Sequence, residues 1–270
     1  MAVIPVRRLL LNMAWPMMLS MLIQALYNIV DSYFVGQYSN SGLTALSVIF
    51  PVQLIITAIA VGTGVGVNTY MARMYAFGKK RAADCTAGTG MVLAVISWAV
   101  FAVAALLLME LYVRTSATSS GAVADAVLYG NIVCVGSLGI FLESIWTKVH
   151  QAGGNMRLPM LAQIAGALTN IVLDPILIFG LGPVPRMGIA GAAIATVVGQ
   201  CVAAVITGIS GFRRPPKPVV MRKYVRQIYR LGYPSIFMQM LYTVYIMALN
   251  MILAGFSDDA VTVLGLYYKL

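Results

Sequence analysis

Charged side chains are scarce in this 270-residue chain: they make up 10% of it, with eight acidic residues and one histidine. A soluble domain carries roughly 25% charged residues. So few cannot cover the surface of a globule, which excludes a water-soluble enzyme and a disordered tail. The single histidine, His150, cannot form an H-E-x-x-H metal site or a nucleophile–base pair, which excludes an intramembrane enzyme. It is read as an interfacial residue at a helix end. Three cysteines, Cys85, Cys134 and Cys201, lie in or beside apolar runs with no C-x-x-C spacing. They are packing residues, with no metal or disulfide framework among them. The ten-residue alternating strands of a membrane β-barrel are missing. No strand precedes Gly62, Gly64 and Gly66 and no Lys-Ser/Thr follows them, so this G-x-G-x-G run is not a phosphate loop. Gly62 and Gly66 instead form a G-x-x-x-G pair suited to close helix packing.

What is present is apolar: 60% hydrophobic residues and a mean hydropathy of +0.88. Apolar runs cover approximately 9–36, 43–72, 86–113, 122–147, 158–181, 188–211 and 231–256, with another beginning near 261. Their length makes them membrane-spanning helices. The net charge of +10 is a matter of topology. Fifteen cations fall in alternate loops: Arg7 and Arg8, Arg73 to Arg81, Lys148 and Arg157, then Arg213 to Arg230. The opposite loops hold only Arg114 and Arg186. This bias predicts a cytoplasmic N-terminus. Cations spread over several loops without interleaved exposed aromatics do not suit nucleic acid.

The chain contains an internal repeat. Trp15-Pro16 through Gly36 and Tyr233-Pro234 through Gly255 share a basic lead-in, an aromatic–Pro pair, an interrupted apolar run and a closing glycine. The prolines are 218 residues apart and the glycines 219. Leu43-Thr-Ala-Leu-Ser then lies beside Val261-Thr-Val-Leu-Gly. Six spans separate the two starts, so both copies enter from the same side, as parallel repeats do in transporters. The expected fold is all-α: a polytopic membrane protein with a six-helix N-terminal lobe over 1–212. A basic cytoplasmic linker follows over 213–230, and the first one to two helices of a second, incomplete lobe over 231–270. The repeat predicts about 160 further residues.

Three carboxylates fall at membrane depth: Asp31, Glu143 and Asp174. Each costs about 2.5–3.5 kcal/mol there and needs a partner, a cavity or a proton. Ser20, Gln24, Asn28 and Asp31 form a polar stripe at helical spacing on span one, and Gln163, Asn170 and Asp174 another on span five. Pro175 cannot bond back to the Ile171 carbonyl, which frees a backbone oxygen near Asn170 and Asp174. These oxygens suit a sodium ion at Asp31 and Asp174, or a desolvated carboxylate takes a proton instead. Interhelical hydrogen bonds that join the spans are the plain alternative. Pro16 and Pro175 are candidate helix bends. Gln24, Asn28, Gln163, Gln239, Thr243 and Asn250 are candidate cavity-lining groups. At the 219-residue offset, Asp31 corresponds to Asn250, so ion coupling is assigned to the first half.

The chain resembles the multidrug and toxic compound extrusion (MATE) family. The resemblance rests on Asn170-Ile-Val-Leu-Asp-Pro-Ile-Leu-Ile-Phe-Gly180, Gly188-Ile-Ala-Gly-Ala-Ala-Ile-Ala-Thr196 and Gln151-Ala-Gly-Gly-Asn-Met-Arg-Leu-Pro-Met160. The hairpin Asp31-Ser-Tyr-Phe-Val-Gly36 with Leu43-Thr-Ala-Leu-Ser adds to it. It implies two six-helix lobes around a central cavity and a cation site at Asp31, Asn170, Asp174 and Thr196. It also implies a monomer of the inner (plasma) membrane, with no cofactor beyond the coupling ion. Such a protein exports amphipathic, often cationic compounds in exchange for Na⁺ or H⁺. Its rivals are a lipid-linked oligosaccharide flippase of the same superfamily, which would want cations inside the spans to meet pyrophosphate, and an inactive half-transporter.

Overall fold

The computed structural model describes residues 6–117, 119–180 and 185–269. Among them every regular element is an α-helix. The order is α1 (Val6–Tyr38), α2 (Asn40–Ala76), α3 (Lys80–Ser116), α4 (Ser120–Gly136), α5 (Leu138–Ala152), α6 (Arg157–Phe179), α7 (Ile189–Gly211), α8 (Pro218–Ala254) and α9 (Asp258–Lys269). Local chemistry sets several boundaries. Ser39 caps α2 by accepting the Gly42 N–H on its hydroxyl (3.3 Å). Gly180 closes α6 in the left-handed region at φ 74°, a conformation glycine takes without a Cβ penalty.

Six of these helices are long and apolar enough to cross a membrane, and the bent pair α4–α5 makes a seventh. The fourth apolar run, expected as one helix over 122–147, is thus broken at Ser137 with a 43° bend. The Ser137 hydroxyl donates to the Cys134 carbonyl (2.7 Å), so the side chain meets a backbone acceptor at the break. Gly136 lies directly against the Val197 side chain of α7, where a Cβ would collide. The basic segment 213–230 also differs from a linker: it is helical from Pro218 onward, as the first three turns and more of α8. Proline at a helix start costs nothing, because the N–H it lacks has no intrahelical acceptor there.

α2 is the central post, packed against α3, α4, α5, α8 and α9. Its G-x-x-x-G pair is where α8 comes closest. A Cβ on Gly66 would strike the Ile228 carbonyl, and one on Gly62 the Ile236 side chain. Gly232 answers from α8, its Cα facing the Gly62 carbonyl. In a bilayer, where lipid is as apolar as leucine, this close backbone contact is what holds helices together.

The loops gather at two ends. At the basic end, Arg213 Nε bonds Asp84 Oδ1 (3.1 Å) while its Nη1 donates to the Ser210 carbonyl (2.9 Å). At the opposite end, Ser41 donates to Asp125 Oδ2 (2.7 Å), and the Ser119 N–H donates to Asp258 Oδ2 (3.0 Å). The Arg186 guanidinium lies 5.0 Å from the Tyr38 ring centre.

The internal repeat acquires a physical contact here. Thr44 Oγ1 and Thr262 Oγ1, 218 positions apart, are hydrogen-bonded at 2.8 Å. Ser47 donates to the Thr262 carbonyl (3.4 Å) and also abuts its own counterpart, Gly265. Repeat-equivalent residues touch each other only near a two-fold axis, so α2 and α9 meet across the pseudo-symmetry axis of the two halves.

Replacing Gly66 by leucine should separate α2 from α8 and cost about 3 kcal/mol, the upper part of the range for overpacking. Gly121→Ala meets only ordinary contact, with Ser41 Cβ at 3.9 Å, and should leave stability unchanged. Thermal unfolding of both variants in detergent is the measurement; equal midpoints would mean that α8 does not pack there.

Candidate cation site between helices α1, α6 and α7

The site is built on the crossing of α6 and α7. Gly166 and Gly199 face each other so closely that a Cβ on either would lie 2.7 Å from the other's carbonyl oxygen. Gly191, one turn before Thr196, is pressed against the Leu177 and Ile178 backbone in the same way. These contacts fix the register that brings Asn170 of α6 to Thr196 of α7.

Asn170 Nδ2 lies 3.4 Å from Thr196 Oγ1. With the amide turned over, Asn170 Nδ2 donates to Asp174 Oδ2 (3.1 Å) and its oxygen accepts the Thr196 N–H (3.1 Å). That orientation satisfies both ends and is the one adopted here. Thr196 sends its own hydroxyl proton to the Ala192 carbonyl (3.0 Å), which leaves its lone pairs facing the site. Asp174 is fully buried (0% exposed), and its Oδ1 has no hydrogen-bond partner. An ionised oxygen in that position is costly unless a cation or a proton covers it.

Asp31 is buried on α1, which packs along α6, and its charge acts on that of Asp174. Two like charges so placed in a medium of low polarity favour a shared cation or a retained proton. Tyr27 lies within electrostatic reach of both carboxylates. Tyr129, buried on α4, is within reach of Asp31 and accepts a hydrogen bond from Gln53 Nε2 (3.3 Å). Among the described residues no group of three or more His, Cys, Asp or Glu side chains is placed to hold a metal ion. The donor set is instead two carboxylates, an amide and a hydroxyl.

Below this cluster, toward the basic end, a cavity of about 90 Å³ opens between α1, α5, α6 and α7. It runs from Asn170 and Thr196 to Gln24, Gln163 and Glu143. Gln163 Nε2 donates to Gln24 Oε1 across it (3.2 Å).

The structure therefore gathers Asp31, Asn170, Asp174 and Thr196, with Gln24 and Gln163 in the adjoining cavity. It does not bring the rest of the expected polar set there. Asn28 is off the cavity, and Tyr27 lines it at that level of α1. Gln239, Thr243 and Asn250 belong to α8, which packs on α2, α3 and α9. Thr243 donates to the Gln239 carbonyl (3.0 Å), and Asn250 is buried with neither side-chain polar atom bonded. Pro16 and Pro175 sit inside α1 and α6, both of which continue through them; the Pro16 carbonyl accepts the Ser20 hydroxyl (2.9 Å). Tyr27, Tyr129 and Gln200 were not singled out from the sequence. Aromatic and amide residues at irregular spacing leave no periodic mark.

Comparison with known proteins agrees with this architecture. The MatE family model matches residues 16–176, more than half of the chain. A protein of Shewanella oneidensis named as an FAD transporter is 33% identical over 207 residues, covering 76% of this chain and 45% of the relative. The probable multidrug resistance protein NorM of Thermotoga maritima is 26% identical over 237 residues, covering 85% and 51%. The outward-facing structure of a multidrug resistance MATE family transporter of the MOP superfamily superposes with a TM-score of 0.81 at 27% identity, over 94% of this chain and 57% of that one. The chain spans about half the length of the curated relatives it matches. MATE proteins are membrane transporters and not enzymes, and by the match over its helices α1 to α6 this chain belongs to the MatE family.

Proposed function

We propose that the chain forms the N-terminal lobe and the start of the second lobe of a secondary antiporter. The transporter exports amphipathic, often cationic organic compounds in exchange for Na⁺ or H⁺. The observation that carries this reading is the buried Asp174 oxygen without a partner, set beside Asn170, Thr196 and the second carboxylate Asp31. A cation or proton there neutralises a charge that the bilayer otherwise penalises, so occupancy shifts how α1 packs on α6. Pro16 and Pro175 are the places where those helices bend. One charge crossing 100 mV supplies about 2.3 kcal/mol, roughly a fiftyfold concentration ratio. The substrate side of the reading is supported by exposed methionines on the two repeat-equivalent helices, such as Met18 and Met21 on α1 and Met238 and Met251 on α8. Thioether side chains adapt to varied apolar shapes. The positive-inside bias supports a cytoplasmic N-terminus; this reading sets the protein in a plasma membrane, with the full transporter as a monomer.

The FAD transporter among the relatives favours a second reading, export of a dinucleotide. Charge argues against it: a pyrophosphate wants Arg or Lys, and the apolar runs from 9–36 to 231–256 contain neither.

In vesicles loaded with ethidium, an imposed Na⁺ or pH gradient should drive efflux, and only one of the two gradients should suffice. Asp174→Asn and Asp31→Asn should each reduce the gradient-driven rate at least tenfold. Normal efflux by both would remove the coupling role. FAD loaded in parallel should stay inside; its efflux at the dye's rate would establish the second reading instead. For orientation, cysteines at Lys79 and Lys217 should react with an impermeant maleimide only from the cytoplasmic face, and one at Ser257 only from outside.

A further inference from the structure

The cavity beneath the cation cluster has a charged residue at its far end that the coupling site does not use. Asn170 and Gln163 line it on α6, and Thr196 and Ala203 on α7. Each pair is seven residues apart, so the space extends about 10 Å along both helices. Its inner end holds Glu143 of α5, nine residues before the basic end of that helix at Ala152.

Glu143 is poorly compensated for a carboxylate at this depth. Its Oε1 accepts one hydrogen bond, from Thr147 (2.7 Å). Lys148 acts on Glu143 electrostatically, while its ammonium donates a hydrogen bond to Gln151 Oε1 (2.9 Å). Around the cavity α6 and α7 contribute amides, α1 contributes Gln24 and Tyr27, and none of them adds a charge. The Gln200 side-chain amide oxygen, Oε1, is buried without a partner. Among its apolar and glycine lining the space thus sets side-chain oxygens of Gln163, Asn170, Thr196 and Gln200 and one carboxylate, Glu143, groups that suit a small inorganic cation or a proton on water. Its size makes the same selection. About 90 Å³ admits a cation with a few waters, whereas drug-sized ligands need roughly 300–1,000 Å³.

We propose that this space is the passage by which the coupling cation moves between the Asp31–Asp174 pair and the basic end of the bundle, with Glu143 as a second, transient cation-binding carboxylate at its inner mouth. The proposal rests on the coupling reading above and assigns to it a route. Gly166 and Gly199 belong to the passage as well as to the packing, since any side chain at either would project where the two backbones meet.

The test uses the full transporter that contains this chain, in proteoliposomes, with gradient-driven ethidium efflux and equilibrium ethidium binding measured side by side. Glu143→Gln should slow efflux at least tenfold while the ethidium Kd stays within twofold, because the passage carries no substrate. Gln200→Leu, which narrows the space from α7 and removes no charge, should also slow efflux and guards against misfolding of the first variant. Wild-type efflux in both overturns the passage. A weakened ethidium Kd in Glu143→Gln makes Glu143 a substrate contact and overturns it too. Asp174→Asn separates the two levels. If it abolishes the gradient response while Glu143→Gln is normal, coupling stands and the route falls. If Asp174→Asn responds normally and Glu143→Gln does not, Glu143 is itself the coupling site and the proposal is wrong.

Discussion

The contact of Gly166 with Gly199 decides where the polar residues of this lobe go. Two backbones that meet without side chains between them cannot slide or rotate without collision, so the register of α6 on α7 is fixed at that point. One turn away on each helix stand Asn170 and Thr196, and a further turn along α6 stands Asp174. A larger residue at either glycine would part the helices and leave Asn170 facing lipid. An amide and a carboxylate without each other would then bear the full cost of dehydration, which in a bilayer no water is present to reduce.

The same constraint explains why the molecule separates its polar chemistry into compartments. Strong ion pairs and charge-assisted hydrogen bonds lie at the two ends, such as Arg213 with Asp84 and Ser119 with Asp258. Between them the helices hold together mainly by small residues, with hydroxyls folded back onto their own helix carbonyls, as in Thr57, Thr86 and Thr207. Among the described residues only the α1–α5–α6–α7 quadrant keeps carboxylates at depth, and there Asp174 Oδ1 stays uncovered.

Much of this was legible in the sequence because it is carried by single helices. Asn170-x-x-x-Asp-Pro lies on one turn of α6, so its chemistry could be read without knowing its neighbours. The membrane class, the G-x-x-x-G contact of α2 and the repeat were legible for the same reason: each is a matter of composition or spacing. What depended on partners was not. Nothing in an apolar window announces that Ser137 breaks a span, because the cause is a close crossing by α7. Asn28 and Tyr27 are neighbours in sequence, and only the direction from which α6 approaches decides that the tyrosine takes the inner position. Asn250 matches Asp31 by alignment, yet an amide cannot titrate, and within this chain α8 packs on α2, α3 and α9. The basic segment 213–230 reads as a linker by charge, yet from Pro218 onward it is the start of α8, and proline is an ordinary start signal.

The hydroxyl pair Thr44–Thr262 bears on how such a chain came about. In a dimer of two identical proteins, a residue on the symmetry axis meets its own copy, and the interface is self-complementary. Two threonines at matching repeat positions, bonded to each other across α2 and α9, retain that arrangement within one polypeptide. Away from the axis the halves were free to diverge, and Asp31 could keep its charge while Asn250 went without one. At the axis each residue is its own partner's environment, so a change on one side must be fitted by the other, as the bare Gly265 fits the Ser47 side chain.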